Sequence, residues 1–143
     1  MTIEKRQLSE QNDNFIMLPT VDFCFKELMQ NKEVRKGILS ALFGKNPEEL
    51  EDTELLPTIL QPEYQDEKLG ILDVRVLFAD GTQTDLEMQV VQFDFWPNRV
   101  LFYLGKMYTG QIKRGEPYEK LKKCIHVSIL DFLHFPKDDR CFR

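Results

Sequence analysis

Hydrophobic positions along this chain change period several times, and each change marks an element. Val21, Phe25, Leu28 and Met29 recur at i, i+4, i+7 and i+8, which predicts a helix over 21–30 capped by Thr20. Asp22 and Lys26 stand one turn apart off that face, and on residue physics alone Asp22 simply complements the helix dipole. Asn31 is placed to cap a second helix through Phe43, with Val34, Ile38, Leu39 and Leu42 as its apolar stripe and Gly44 as its stop. Asn46-Pro47-Glu48-Glu49 combines a cap residue, a proline at the first helical position and a glutamate three beyond the cap, so a short helix is expected there. Residues 54–61 (ELLPTILQ) read as a strand. Pro57 cannot donate to a ladder, so that strand belongs at a sheet edge or carries a bulge.

Residues 70–93 (GILDVRVLFADGTQTDLEMQVVQF) alternate in character on either side of Ala79-Asp80-Gly81, the pattern of a β-hairpin. A three-residue loop with Gly81 in the left-handed region pairs Phe78 with Thr82. That register sets Arg75 against Asp85, Asp73 against Glu87 and Ile71 against Gln89, whereas a two-residue loop would send Glu87 to the face opposite Asp73. Asp94 and Pro97 then open a helix expected to reach Arg114 and end at Gly115. Its apolar face is Val100, Leu101, Leu104, Met107, Tyr108 and Ile112, and Arg99, Tyr103, Lys106 and Lys113 form a second stripe expected in solvent. Residues 118–123 make a helical turn, and 124–135 (CIHVSILDFLHF) have the apolar, β-branched character of a central strand. The expected organisation is a loose arm over 1–17, one domain over 18–136 and a tail over 137–143, without repeats.

Composition narrows the chemistry. With 143 residues, 42% hydrophobic and including eleven Phe, the chain can bury one domain's core. A net charge of −5 excludes a generally basic surface, so nucleic-acid binding would need a local patch or a divalent metal. Cys24, Cys124 and Cys141 are odd in number and widely spaced, which reads as buried thiols in a reducing compartment. No apolar run has the length of a signal peptide or a membrane span, so the expectation is a cytoplasmic protein with no membrane partner. Neither phosphate-binding glycine motif occurs, which argues against a nucleotide cofactor.

His126 and His134 lie too far apart along one strand to share a metal, and each reads as structural. A Cys124–His126 nucleophile pair is formally available, but nothing flanking it would activate the thiol. Carboxylates remain. Like charges directly opposed destabilise a sheet, and a hard cation such as Mg²⁺ or Mn²⁺ between Asp73 and Glu87, with Gln89 on the same face, would remove that cost. The alternative is a solvated sheet face with Arg75–Asp85 as an ordinary cross-strand ion pair.

A carboxylate on one strand, a turn, and E-x-K or E-x-Q on the next is the core pattern of the PD-(D/E)xK nucleases, here Leu72-Asp73-Val74 and Glu87-Met88-Gln89. The chain resembles the Rpn recombination-promoting nucleases, also described as PD-(D/E)xK family transposases, in LPTVDFCFKELM, ILDVRV, DLEMQ, NRVLFYLGKMYTGQIKRGEPYEKL and IHVSILDFLHF, which follow in the family's order. The resemblance implies an α/β, restriction-endonuclease-like core with a central mixed sheet flanked by helices, and metal-dependent endonuclease chemistry on DNA. By position it makes Asp73, Glu87 and the Met88 backbone carbonyl the ligands of Mg²⁺ or Mn²⁺. Gln89 takes the place of the motif's lysine, where it can position a water but not accept its proton. Asp22 matches a further acidic position, while Tyr108 and Gln111 fit the family's Y-x-x-Q and are expected, with Lys106, to support the site. Lys113, Arg114, Lys120, Lys122 and Lys123 are the candidate DNA patch. Cutting both strands of a duplex often takes two active sites, which makes a homodimer a candidate assembly. Family members usually continue past this last strand, so a trimmed chain is expected. The competing expectation, from a different class, is a catalytically inactive nuclease-fold module acting in DNA binding or protein assembly.

Overall fold

The computed structural model of the chain describes residues 16–134. The arm predicted over 1–17 lies almost wholly outside the described residues, as do the tail over 137–143 and the last position of the strand predicted over 124–135. The elements run α1 (Asp22–Gln30), α2 (Lys32–Phe43), a 3₁₀ turn (Pro47–Leu50), β1 (Glu54–Leu56), β2 (Ile59–Leu60), β3 (Gly70–Ile71), β4 (Val74–Leu77), β5 (Gln83–Gln89), α3 (Trp96–Thr109), a second 3₁₀ turn (Tyr118–Lys120) and β6 (Cys124–Leu130). The main sheet has the order β1-β4-β5-β6, with β6 parallel to β5 and the other pairs antiparallel. A second sheet pairs β2 with β3. The mixed α/β architecture is the one expected from the sequence.

Local signals account for the helix junction. Asn31 ends α1 and caps α2, its Oδ1 accepting from the backbone N–H of Glu33 and Val34, and Gly44 closes α2 at φ 62°. The buried stripe of α2 includes a residue that apolar periodicity passes over. Arg35 is buried, and its Nη1 donates to the carbonyls of Met29 and Gln30, so one guanidinium satisfies the end of α1. Thr20 does not cap α1. Val21 occupies that position without a side-chain bond and is exposed, leaving Phe25 and Met29 as the buried anchors.

The even-numbered side chains of the hairpin, Val74, Val76 and Leu86, pack with Phe25, Met29, Leu39 and Leu50 to form the main core under α1 and α2. A second cluster of Leu60, Leu72, Tyr103 and Met107 lies under α3. The hairpin is thus covered on both faces.

Four sequence expectations give way to tertiary context. The strand predicted over 54–61 breaks at Pro57 and Thr58, β1 staying at the edge of the main sheet while β2 joins β3. Helix α3 stops at Thr109, because the following residues fold back to meet β6: Gln111 accepts from Lys122 N–H and donates to Lys122 O. Among the described residues β6 is an edge strand with half-buried side chains rather than a central one. The phase of α3 also differs. Its buried face is Tyr103 and Met107 flanked by Arg99, Phe102 and Lys106, while Leu101 and Tyr108 point outward.

Candidate active site

The turn sets the register. Phe78 N–H donates to Thr82 O, Gly81 N–H to Phe78 O, and Gly81 sits at φ 87°, so the loop is the three-residue form that only glycine enters cheaply. Arg75 opposes Asp85 and Val74 opposes Leu86. Continuing that register would pair Leu72 with Met88 and Ile71 with Gln89, but the chain leaves the ladder at Asp73. Leu72 N–H donates to Thr58 O and Ile71 pairs with Ile59, so the expected Ile71–Gln89 pair does not form. The Met88 N–H that Leu72 would have accepted is taken by Asp73 Oδ2 at 3.2 Å. A carboxylate therefore substitutes for a backbone carbonyl where the two sheets part. The Met88 carbonyl, on the same side of β5 as its N–H, loses Leu72 as its ladder donor.

On the odd-numbered face of β5, Asp85 and Glu87 are fully buried beneath α3. The parallel register puts His126 beside Asp85 and Ser128 beside Glu87. His126 Nδ1 lies 2.8 Å from Asp85 Oδ2, and its Nε2 lies 2.6 Å from Ser128 Oγ and 3.9 Å from Glu87 Oε2. From α3, Arg99 Nη2 donates to Glu87 Oε1 at 3.2 Å while its Nε donates to Tyr103 Oη. Asp85, Glu87 and His126 each offer a ligand atom within 4.8 Å of the others, a mixed N/O set.

Electrostatics favour a cation here. Burial, reinforced by the charge of Asp85, pushes Glu87 up to about 7, against the pull of Arg99 and His126. Burial also raises Asp85, opposed by its His126 bond, and raises Asp73, opposed by the Met88 N–H and by Lys26. Glu87 Oε2 and Asp85 Oδ1 are buried with no hydrogen-bond partner. Two desolvated acceptors without donors are costly to keep ionised unless positive charge joins them.

The other sequence-selected residues distribute unevenly. Asp22 approaches the cluster through Lys26, whose Nζ lies 2.9 Å from Asp22 Oδ2 and 3.7 Å from Asp73 Oδ1. Gln89 points its amide at Val91 O. Tyr108 is exposed on the outer side of α3, and Gln111 is spent pinning the entry of β6 through Lys122 and Cys124. Lys106 forms an ion pair with Glu67. None of the contacts of Gln111 and Lys106 reaches Asp73 or Glu87, and Tyr108 faces outward. The Arg75–Asp85 ion pair is also not made. Arg75 binds Gln83 Oε1 and Pro57 O, and Asp85 turns to His126.

Lys26, Asp85, Arg99, Tyr103 and His126 join the cluster although the sequence pattern marks none of them as a site residue. Period-2 alternation puts Asp85 on the face of Glu87, and the helical stripe with Arg99 and Tyr103, expected in solvent, faces the sheet instead. His126 had no such signal, because its place depends on a parallel pairing with β5 far away in sequence. Cys124 is not a partner for it, since the thiol contacts Gln111 and burial raises it away from the reactive thiolate.

A mixed sheet with helices on both faces and buried carboxylates on its central strand β5 is consistent with a nuclease-like α/β fold. The model of one family, PD-(D/E)XK nuclease family transposase, matches residues 19–142, and the chain belongs to that family. Comparison with curated proteins and with solved structures gave no match.

Proposed function

We propose that this chain is a divalent-metal-dependent DNA endonuclease that hydrolyses phosphodiester bonds, of the recombination-promoting, transposase-associated type, acting in the cytoplasm through the domain at 18–136. The observation that carries the reading is the buried Glu87 Oε2, which has no hydrogen-bond partner, one residue from the Met88 N–H that Asp73 takes where the ladder opens. Asp73 and Glu87 would hold Mg²⁺ or Mn²⁺ together with the Met88 carbonyl, whose ladder donor is engaged elsewhere, and the Asp85, Glu87 and His126 ligand atoms within 4.8 Å of one another support cation binding at Glu87. Such an ion supplies Lewis acidity toward the phosphate and a nucleophile near neutral pH. The protein's own groups do the rest. Arg99 fixes the Glu87 carboxylate, the Met88 N–H fixes that of Asp73, and the His126–Asp85 pair backs Glu87 from β6. Gln89 would orient water through its amide only after turning from Val91 O.

DNA is the expected partner. Lys113, Arg114, Lys120, Lys122 and Lys123 are all exposed in the connection from α3 to β6, which enters the sheet beside Gln83. Gln83 and Glu87 are four steps apart on the strand, so the patch and the carboxylates are on the order of 13 Å apart along β5, a span one duplex can cover. Among the described residues no helix is long and apolar enough to cross a membrane. A homodimer, with one site per strand, is the assembly that double-strand cleavage calls for.

The second reading, an inactive module for DNA binding or assembly, is favoured by the orientation of Gln89 and by the hold of Arg99 on Glu87. Incubation of the protein with supercoiled plasmid and Mn²⁺, beside Asp73→Ala and Glu87→Gln, separates the two. Nicking by the wild type alone supports the nuclease; equal products from all three, or none from any, refute it.

A further inference from the structure

Among the described residues, the one cation paired with Asp73 comes from neither hairpin strand. Lys26 reaches across from α1, its ammonium 2.9 Å from Asp22 Oδ2 and 3.7 Å from Asp73 Oδ1, with the side chain 39% exposed. The other cations near the carboxylates are committed. Arg99 divides its guanidinium between Glu87 and Tyr103, and His126 lies between Asp85 and Ser128. Gln89 carries no charge and bonds Val91 O.

An ammonium has three N–H groups and no acceptor. Asp22 engages one of them in a bond of ordinary length, whereas the approach to Asp73 is an ion pair at a distance longer than a hydrogen bond. The hold of Lys26 on Asp22 does not depend on its weaker approach to Asp73. Two of its N–H groups therefore remain for a ligand reaching Asp73. A phosphodiester bound there carries a negative non-bridging oxygen, for which a tethered, partly exposed ammonium is a matched partner.

We propose that Lys26, tethered by Asp22, is a catalytic residue that contacts a non-bridging oxygen of the scissile phosphate and stabilises the charge that builds there during hydrolysis. Asp22 is a positioning residue: it holds Lys26 and touches neither metal nor substrate. The proposal rests on the endonuclease reading above.

Plasmid cleavage in Mn²⁺ by the wild type, Lys26→Met, Lys26→Arg and Asp22→Asn tests it, with calorimetric titration of thymidine 5′-phosphate in Mn²⁺ as a second arm that needs no turnover. Loss of one preorganised charge predicts a fall in kcat of about 100-fold for Lys26→Met with KM for plasmid changed less than about threefold, and substantial recovery in Lys26→Arg. The nucleotide should bind Lys26→Met about tenfold more weakly, and Asp22→Asn should show a smaller loss in both arms. Lys26 is partly exposed, and an unchanged melting temperature shows that each variant is folded. Unchanged kcat in Lys26→Met beside an active wild type overturns the proposal and leaves the endonuclease reading standing. A wild type that cleaves nothing overturns the endonuclease reading, and the nucleotide titration then decides phosphate contact by itself: equal affinity of wild type and Lys26→Met sinks it.

Discussion

Replacing Glu87 by glutamine should stabilise the metal-free protein, although it removes the charge of a buried, ion-paired side chain. A carboxylate whose folded pKa lies above its unfolded value binds its proton more tightly in the native state, so stability falls as pH rises between the two values. For Glu87 those values are 4.5 and about 7. Below pH 4.5 the group is protonated in both states and contributes nothing. Above pH 7 the whole cost is present, and at about 1.4 kcal/mol per unit it comes to about 3 kcal/mol. Glutamine keeps the shape and an oxygen for Arg99 but has no charge to desolvate. Urea unfolding in EDTA at pH 5 and pH 8 measures the effect. The wild type should lose stability across that interval, and Glu87→Gln should lose about 2–3 kcal/mol less. Addition of Mn²⁺ at pH 8 should reverse the order, raising the wild type alone. A variant no more stable than wild type at pH 8 without metal would show that Arg99 and His126 already compensate the buried charge, removing the electrostatic argument for a cation.

Three further outcomes follow from the geometry. Gly81→Ala forces a side chain into φ 87° with its Cβ 2.9 Å from Lys122 Cγ, so it should cost about 1–2 kcal/mol by thermal unfolding, most of it backbone strain because the lysine can move. Arg99→Met removes the bond to Glu87 Oε1 and should destabilise the metal-free protein at pH 8 by about 1–2 kcal/mol, with a smaller effect at pH 5 where Glu87 is protonated; an equal loss at both pH values would argue for packing instead. Lys122→Ala combined with Lys123→Ala should weaken DNA binding equally across sequences and reduce the salt dependence of log K by about 2, which a fluorescence titration at several salt concentrations reads.

Sequence by itself determined the parts that short-range physics controls. The cap at Asn31, the stop at Gly44, the edge position forced by Pro57 and the three-residue turn at Gly81 each depend on the conformational preference of one or two residues, and alternation then carries Asp85 and Glu87 to one face. Tertiary structure decided the rest. Asp73 leaves the ladder because Leu72 finds Thr58 across the second sheet, a pairing that no local pattern encodes. The charged stripe of α3 faces the sheet because a buried Glu87 needs Arg99, so the helix exposes Leu101 and Tyr108, contrary to hydrophobic periodicity alone. His126 joins the carboxylates only through the parallel register of β6, and Lys26 meets Asp73 only because α1 docks over the core. Periodicity ranks positions by their average surroundings, whereas the desolvation that gives these carboxylates their chemistry exists only once distant segments have packed against each other.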